Sequence, residues 1–488
     1  MKHRTQWLFL VLWTVVSAAD LNADVPSPRP NILFCIADDW SWPHAGAYGD
    51  RVVKTPAFDR VAREGVLFRR AFCSSPSCTP SRGAILTGQS FSRLEEGGNL
   101  WSTLQKKFAV YPDLLEAAGY HVGLQGKGWG PGDFKVSGWT RNPAGPPSRS
   151  FADFLVNVPD GKPFCFWFGS SDPHRPYETG SGEKSGMSLG AVTVPPHFPD
   201  VPEVRRDMLD YYFEVERFDR DVGAMLALLE KAGKLDNTIV VITSDNGMPF
   251  PRCKTNLYDS GARMPLAIRW PAHVKGGRVI EDFVSHTDYA PTFLEAAGLK
   301  PPPEMTGRSL MPLLASKKAG QVDSARDKVF FGRERHARSR EGNVGYPARA
   351  VRTDRYLYIR NFAPDRWPAG DPVVSSDGDP KGYGDCDGFG SLTKQYLLDH
   401  RDDAAVKPLF ALSFDKRPAE ELYDLRRDPN QLSNVASDRR HAKAFQSLRA
   451  DLDRWMRDIA DPRAMGSQPL FDSYPYYSKP PKQPPPTP

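Results

Sequence analysis

Three short apolar runs fix most of what this chain can fold into, because each is one strand long and each leads into polar, acid-bearing residues. Asn31-Ile32-Leu33-Phe34-Cys35-Ile36-Ala37 stops at Asp38-Asp39. Phe164-Cys165-Phe166-Trp167-Phe168 runs toward Asp172-Pro173-His174, and Thr238-Ile239-Val240-Val241-Ile242-Thr243-Ser244 stops at Asp245-Asn246-Gly247. A continuous apolar run, without alternation, describes a strand buried on both faces. Between the second and third runs, apolar residues at Met208, Tyr212, Val215, Phe218, Val222, Met225 and Leu229 recur at three-to-four spacing, which predicts an amphipathic helix. Buried strands alternating with such helices predict an α/β fold, a mainly parallel sheet sandwiched by helices. Ligands of such sheets gather beyond the carboxyl ends of the strands, where this chain repeatedly places its acids and bases.

Composition narrows the function classes. The chain has 488 residues, enough for two domains, and 64 basic against 59 acidic residues give a net charge of only +5. No lysine-arginine run points to nucleic acid. Lys2, His3 and Arg4 precede an apolar run from Trp7 to Val16 and the small residues Ser17-Ala18-Ala19, so residues 1–19 read as a secretory signal peptide. That run is shorter than the roughly 20 residues a membrane-spanning helix needs, and no later segment could span, so stable membrane insertion is not expected. Export to periplasm, medium or lysosome would permit disulfides. Six cysteines, at 35, 73, 78, 165, 253 and 386, are nevertheless too few and too irregular to read as a disulfide framework, and their connectivity stays open.

Asp38-Asp39 or Asp245-Asn246-Gly247 alone would be ordinary turn chemistry. Together they offer three carboxylates and an amide oxygen, a hard donor set suited to Ca2+ or Mg2+ rather than zinc. The stretch Cys78-Thr79-Pro80-Ser81-Arg82-Gly83, with Leu86-Thr87-Gly88 after it, sets a cysteine at the mouth of a helix predicted to begin near Pro80. Such a helix aims backbone N–H groups and its positive dipole end at a bound anion.

This stretch resembles the signature of the type I sulfatases, whose cysteine is oxidised to a formylglycine aldehyde by a formylglycine-generating enzyme. The resemblance implies an alkaline-phosphatase-like catalytic domain over residues 28–325, a smaller C-terminal α+β domain over 326–475 and a sulfated saccharide as substrate. It also explains the aldehyde: once hydrated, it carries two hydroxyls, one to attack sulfur and one whose deprotonation expels sulfate and restores the aldehyde. By the same resemblance Asp38, Asp39, Cys78, Asp245 and Asn246 hold Ca2+, with Mg2+ as the substitute. Arg82 braces the hydrated aldehyde, Lys127 and Lys254 bind sulfate, and His174 protonates the leaving group. Histidine is usual two residues after the family lysine, and this chain has Trp129 there.

Further landmarks are Val284-Ser285-His286-Thr287-Asp288, Thr306-Gly307-Arg308-Ser309-Leu310 and Glu421-Leu422-Tyr423-Asp424-Leu425, so the resemblance covers nearly the whole mature chain. Asp172-Pro173-His174-Arg175, Gly247-Met248-Pro249-Phe250-Pro251 and Gly332-Arg333-Glu334-Arg335-His336 are most similar to the heparan N-sulfatase branch. That similarity implies a sugar-binding role for Asp172, Glu334, His336 and Arg349. An O-sulfatase on another polysaccharide, a phosphonate or phosphodiester hydrolase, and an inactive glycan-binding relative are the alternatives, and a homodimer is left open. Toward the C-terminus, Ala363 to Lys394 reads as a long surface loop over the site. Glu420–Leu425 reads as a strand, Phe445–Ile459 as a closing helix, and residues 476–488 as a disordered proline-rich tail.

Overall fold

A computed structural model describes residues 29–375, 381–386, 390–465 and 470–478. The predicted signal peptide lies outside the described residues, as does the proline-rich tail from residue 479 onward. Eight strands form the main sheet: β1 (Asn31–Ala37), β2 (Val66–Phe72), β3 (His121–Gly126), β4 (Phe164–Gly169), β5 (Thr238–Ser244), β6 (Arg263–Arg269), β7 (Arg278–Ile280) and β8 (Val284–Ser285). Their order is β3-β4-β1-β5-β6-β2-β7, with β8 also on β2. The block β3-β4-β1-β5 is parallel throughout, and β6 runs antiparallel to both its neighbours.

The unbroken apolar sequences of β1, β4 and β5 now have their reason. Every residue of all three is buried, because the sheet carries a hydrophobic layer on each face. On one side Leu33, Phe166 and Val240 pack against α2 (Pro202–Lys231) through Met208, Val215 and Phe218. On the other, Phe34, Trp167 and Val241 pack against α1 (Cys78–Thr87) and the helix Tyr289–Ala296 through Ile85, Tyr289 and Phe293. Fully burying one such side chain stabilises by about 1.5–3 kcal/mol, so these two layers offset the cost of the charged centre they enclose.

A separate four-stranded antiparallel sheet follows, ordered β12-β11-β10-β9: β9 (Lys328–Arg333), β10 (Ala348–Thr353), β11 (Tyr356–Asn361) and β12 (Glu420–Asp424). The closing helix α3 (Ala442–Asp458) buries Leu448, Leu452 and Met456 against it. The segment after Ala363 departs from the surface loop the sequence predicts. Ala369, Tyr383, Asp385 and Cys386 are buried, and the Asp385 carboxylate accepts from Arg333 and Arg340 at 2.6 and 2.7 Å. A single acidic anchor between two arginines ties a polar segment inward without any hydrophobic period to announce it.

Candidate active site

Four neighbouring parallel strands each deliver chemistry just past their carboxyl ends. Lys127 follows β3, Asp172 and His174 follow β4, Asp38 and Asp39 follow β1, and Asp245 and Asn246 follow β5. Asp39 takes a left-handed backbone, φ +81°, a conformation that aspartate tolerates better than most residues. Its amide donates to Asp245 Oδ1 at 3.1 Å, so the turn folds one strand end onto the other.

Cys78 opens α1, and Ser77 before it is extended, as a residue preceding a helix should be. The Ser77 hydroxyl accepts from no helix amide and instead pairs with His336 Nδ1 at 2.8 Å. The Cys78 Sγ lies 3.5 Å from Asp38 Oδ1. One turn later Ser81 donates to the Asp245 carbonyl at 2.6 Å, and Arg82 donates through Nε to Asp245 Oδ2 at 2.8 Å and through Nη1 to the carbonyls of Lys127 and Gly128. Thus one helix spacing binds the cysteine end of α1 to both β1 and β5.

Charges in the centre balance. Lys127 Nζ sits 2.6 and 2.8 Å from the Asp38 carboxylate, Lys254 Nζ 2.8 and 2.9 Å from that of Asp39, and Arg82 pairs with Asp245. Burial alone would raise the Asp38 carboxyl, but Lys127, His174 and Arg82 outweigh it and hold Asp38 well below the carboxylate range. Burial pushes Asp245 up to about 6 against the pull of Arg82. The Cys78 thiol is driven well above its usual range, again by burial, which the two lysines only partly oppose. An unaltered thiol at this position is therefore protonated and a poor nucleophile.

His174 Nδ1 lies 2.5 Å from the Arg175 carbonyl and Nε2 lies 3.9 Å from Asp39 Oδ2. Because a carbonyl only accepts, Nδ1 carries a hydrogen, and a second proton would sit on Nε2 beside the carboxylates. The loop bearing His174 is fixed by Arg175, whose guanidinium makes a fully buried bidentate pair with Asp207 of α2 at 2.8 and 2.9 Å. At the centre opens a cleft of about 470 Å³, lined by Asp38, Lys127 and His174 and also by Trp101, Asp172, Glu214 and Arg217.

The donor set fits a hard divalent cation. Asp38, Asp39, Cys78 and Asp245 each offer an atom within 4.8 Å of the others. The buried Asn246 Oδ1 has no protein donor, as expected of an oxygen kept for a metal. Adding a divalent cation and a sulfate dianion together would leave the local charge balance unchanged.

Cys78, Arg82, Lys127, His174, Lys254, Asp172 and the acidic set therefore come together in one place. Glu334, His336 and Arg349 do not line this cleft. Arg349 is fully buried between Asp461 and Glu334, and Glu334 also accepts from Arg463 at 2.6 and 2.7 Å, so its carboxylate is consumed by a structural ion-pair cluster. His336 is buried behind α1 with Ser77, in a closed interstice with Glu334 and Thr255. Arginine and glutamate in a motif are legible as polar partners, but not which partner they find. Trp129, where the family pattern has histidine, is a buried core side chain whose main chain is held by Asn142. Sequence reasoning missed Trp101, Glu214 and Arg217. The signal for Glu214 was present: Asp207, Asp210 and Glu214 recur at three- and four-residue spacing on the buried face of α2.

Similarity to known proteins runs along most of the chain. The sulfatase family profile matches residues 30–299, and one described as N-sulphoglucosamine sulphohydrolase, C-terminal, matches residues 253–373. The chain is 31% identical over 487 residues to human N-sulphoglucosamine sulphohydrolase, covering 89% of this chain and 91% of that one. It is 29% identical over 485 residues to an ulvan-active sulfatase of Formosa agariphila, covering 89% and 76%. A solved structure in complex with its substrate, D-glucosamine-2-N,6-O-disulfate, superposes with a TM-score of 0.64 at 21% identity, covering 90% of this chain and 100% of that chain. The phosphonate monoester hydrolase of Agrobacterium radiobacter superposes at 0.63 with 19% identity, covering 93% and 100%, which shows a shared fold.

Proposed function

The chain belongs to the sulfatase family, hydrolases of sulfuric esters and sulfamates, and from that premise we propose that it removes sulfate from a sulfated saccharide, N-sulfoglucosamine of heparan-type glycans foremost, through a formylglycine at position 78. The observation that carries the reading is the convergence of Cys78, three carboxylates and three cations at four adjacent strand ends. The preference for an N-sulfated sugar is supported by the human relative and by the C-terminal profile match.

In this reading Lys127 and Lys254 turn from their carboxylate partners to the sulfate oxygens, and the amides at the start of α1 add donors to the same anion. His174 gives the Nε2 proton to the departing nitrogen or oxygen of the sugar. Arg82 fixes the position of residue 78 against Asp38 and Asp245. Formylglycine, when hydrated, supplies a hydroxyl for attack at sulfur, in place of a thiol that burial keeps protonated. Asp38, Asp39, Asp245 and Asn246 would hold Ca2+, which polarises a sulfate oxygen. Maturation by a formylglycine-generating enzyme and export belong to the same proposal.

The test is a substrate panel on protein co-expressed with the converting enzyme. Sulfate release from N-sulfoglucosamine and from glucosamine 6-sulfate is compared with cleavage of a phosphodiester. The highest kcat/KM is expected on N-sulfoglucosamine; a higher value on the 6-sulfate would overturn the N-sulfate preference, and a higher value on the phosphodiester would overturn the sulfatase reading of the substrate.

A further inference from the structure

We propose that Trp101, Glu214 and Arg217 form a saccharide-recognition wall of the cleft that opens onto the reacting centre. The Trp101 indole is a platform for the apolar face of a pyranose, and the Glu214–Arg217 pair, with Asp172, binds its ring hydroxyls. The inference rests on the saccharide reading above and assigns the residues that select the sugar.

The cleft lining falls into two chemical groups. Asp38, Lys127 and His174 are committed to the reacting group, whereas Asp172, Glu214 and Arg217 add two carboxyl groups and a guanidinium that the reaction does not use. Arg217 Nη1 lies 2.7 Å from Glu214 Oε2, and its Nε lies 3.2 Å from Asp172 Oδ2. Asp172 and Glu214 are themselves hydrogen-bonded to one another. Two largely buried acids against one base whose side chain is 43% exposed is a poor structural arrangement, since a single ion pair would hold α2 to the β4 loop at lower desolvation cost. A second ion pair already does so: Arg175 with Asp207, fully buried. What the extra carboxyl supplies is acceptor capacity beside a guanidinium donor, the combination that pairs with vicinal hydroxyls, each both donor and acceptor.

Trp101 adds the apolar half. Its side chain stays partly exposed at the cleft while its backbone takes φ +53°, a conformation a bulky residue rarely adopts. The strain is held from two sides. Tyr477 donates to the Trp101 carbonyl at 2.7 Å, and Asp133 donates to the carbonyl of the adjacent Ser102 at 2.9 Å. Backbone strain that its surroundings over-determine marks a position fixed for use, and an indole in the cleft lining suits the C–H side of a sugar ring.

The experiment compares kcat/KM on N-sulfoglucosamine with kcat/KM on a small aryl sulfate, which has no ring hydroxyls, for Glu214→Gln, Arg217→Met and Trp101→Ala. Each variant is expected to lose at least about tenfold more on the saccharide than on the aryl sulfate, chiefly through KM. Equal losses on both substrates, or none on the saccharide, would overturn the proposal. Should a variant fail to fold, Trp101→Phe and Arg217→Lys repeat the comparison, with equilibrium binding of N-sulfoglucosamine and of inorganic sulfate to Cys78→Ser protein measured alongside. Weaker sugar binding than sulfate binding in those variants supports the wall, and parallel changes contradict it. A wild-type protein that turns over aryl sulfate but no sulfated saccharide overturns the substrate reading itself, a result distinct from variants that leave sugar selectivity intact.

Discussion

At the scale of single residues, burial decides what each group can do. Burial keeps an unconverted Cys78 thiol protonated, and the same burial makes Asp38 dependent on Lys127 for its charge. His174 lines the cleft and turns Nε2 toward the acids of the centre, so His174→Ala should cost about 10²–10⁴ in kcat. The loss should be larger for a sugar leaving group than for a nitrophenolate, which needs no proton; equal losses would remove His174 from the role of acid. Asn246 should matter through the cation alone. Asn246→Ala is expected to weaken Ca2+ binding by about ten- to a hundredfold, read by titration calorimetry, with little change in the unfolding midpoint of metal-free protein. The acids, the cysteine and Lys127 were legible from sequence because each stands next to a strand or helix boundary, whereas Lys254, in a loop between elements, was legible only through the family resemblance. Glu334 and Arg349 were not, since long side chains reach 112 residues away in sequence, as Arg349 does to Asp461, and no local pattern records the partner.

Elements set the precision of the centre. The continuous apolar runs of β1, β4 and β5 announced buried parallel strands, and the spacing within α2 announced its packed face, because both signals come from the period of the backbone itself. Tertiary anchors carry no such period. Arg175–Asp207 ties the His174 loop to α2, and Asp385 pins the segment after Ala363 between Arg333 and Arg340. Removing one partner of a buried pair strands the other charge, so Asp207→Ala should destabilise by about 3–5 kcal/mol in urea unfolding. Any activity that survives should show the loss in kcat as the loop loosens. A variant as stable as the parent would show that the pair does not hold the loop.

For the whole molecule, the two hydrophobic layers and the second sheet make a frame around a centre whose charges cancel only as a set. Buried histidines give the frame a sensitivity to acid. His286 lies behind α1, its Nδ1 3.1 Å from Ser81 Oγ, and burial lowers its pKa from 6.5 to about 3. The unfolded chain then binds the proton that the folded one refuses, so stability contributed by neutral His286 is present above pH 6.5 and is lost as pH falls toward 3. Relative to a His286→Gln variant, the parent should lose on the order of 2 kcal/mol of unfolding free energy between pH 7 and pH 4.5. A flat difference across that range would contradict the assignment. The family fold and its centre were readable along the chain, whereas the cleft wall of Trp101, Glu214 and Arg217 was not, because it is assembled from a loop and a helix with no shared motif.

The most direct measurement is the mass of the peptide containing residue 78, taken from active protein made in a host with the converting enzyme. The account predicts the mass of formylglycine there, with sulfatase activity rising in proportion to the converted fraction. An intact cysteine in protein that is fully active would contradict it.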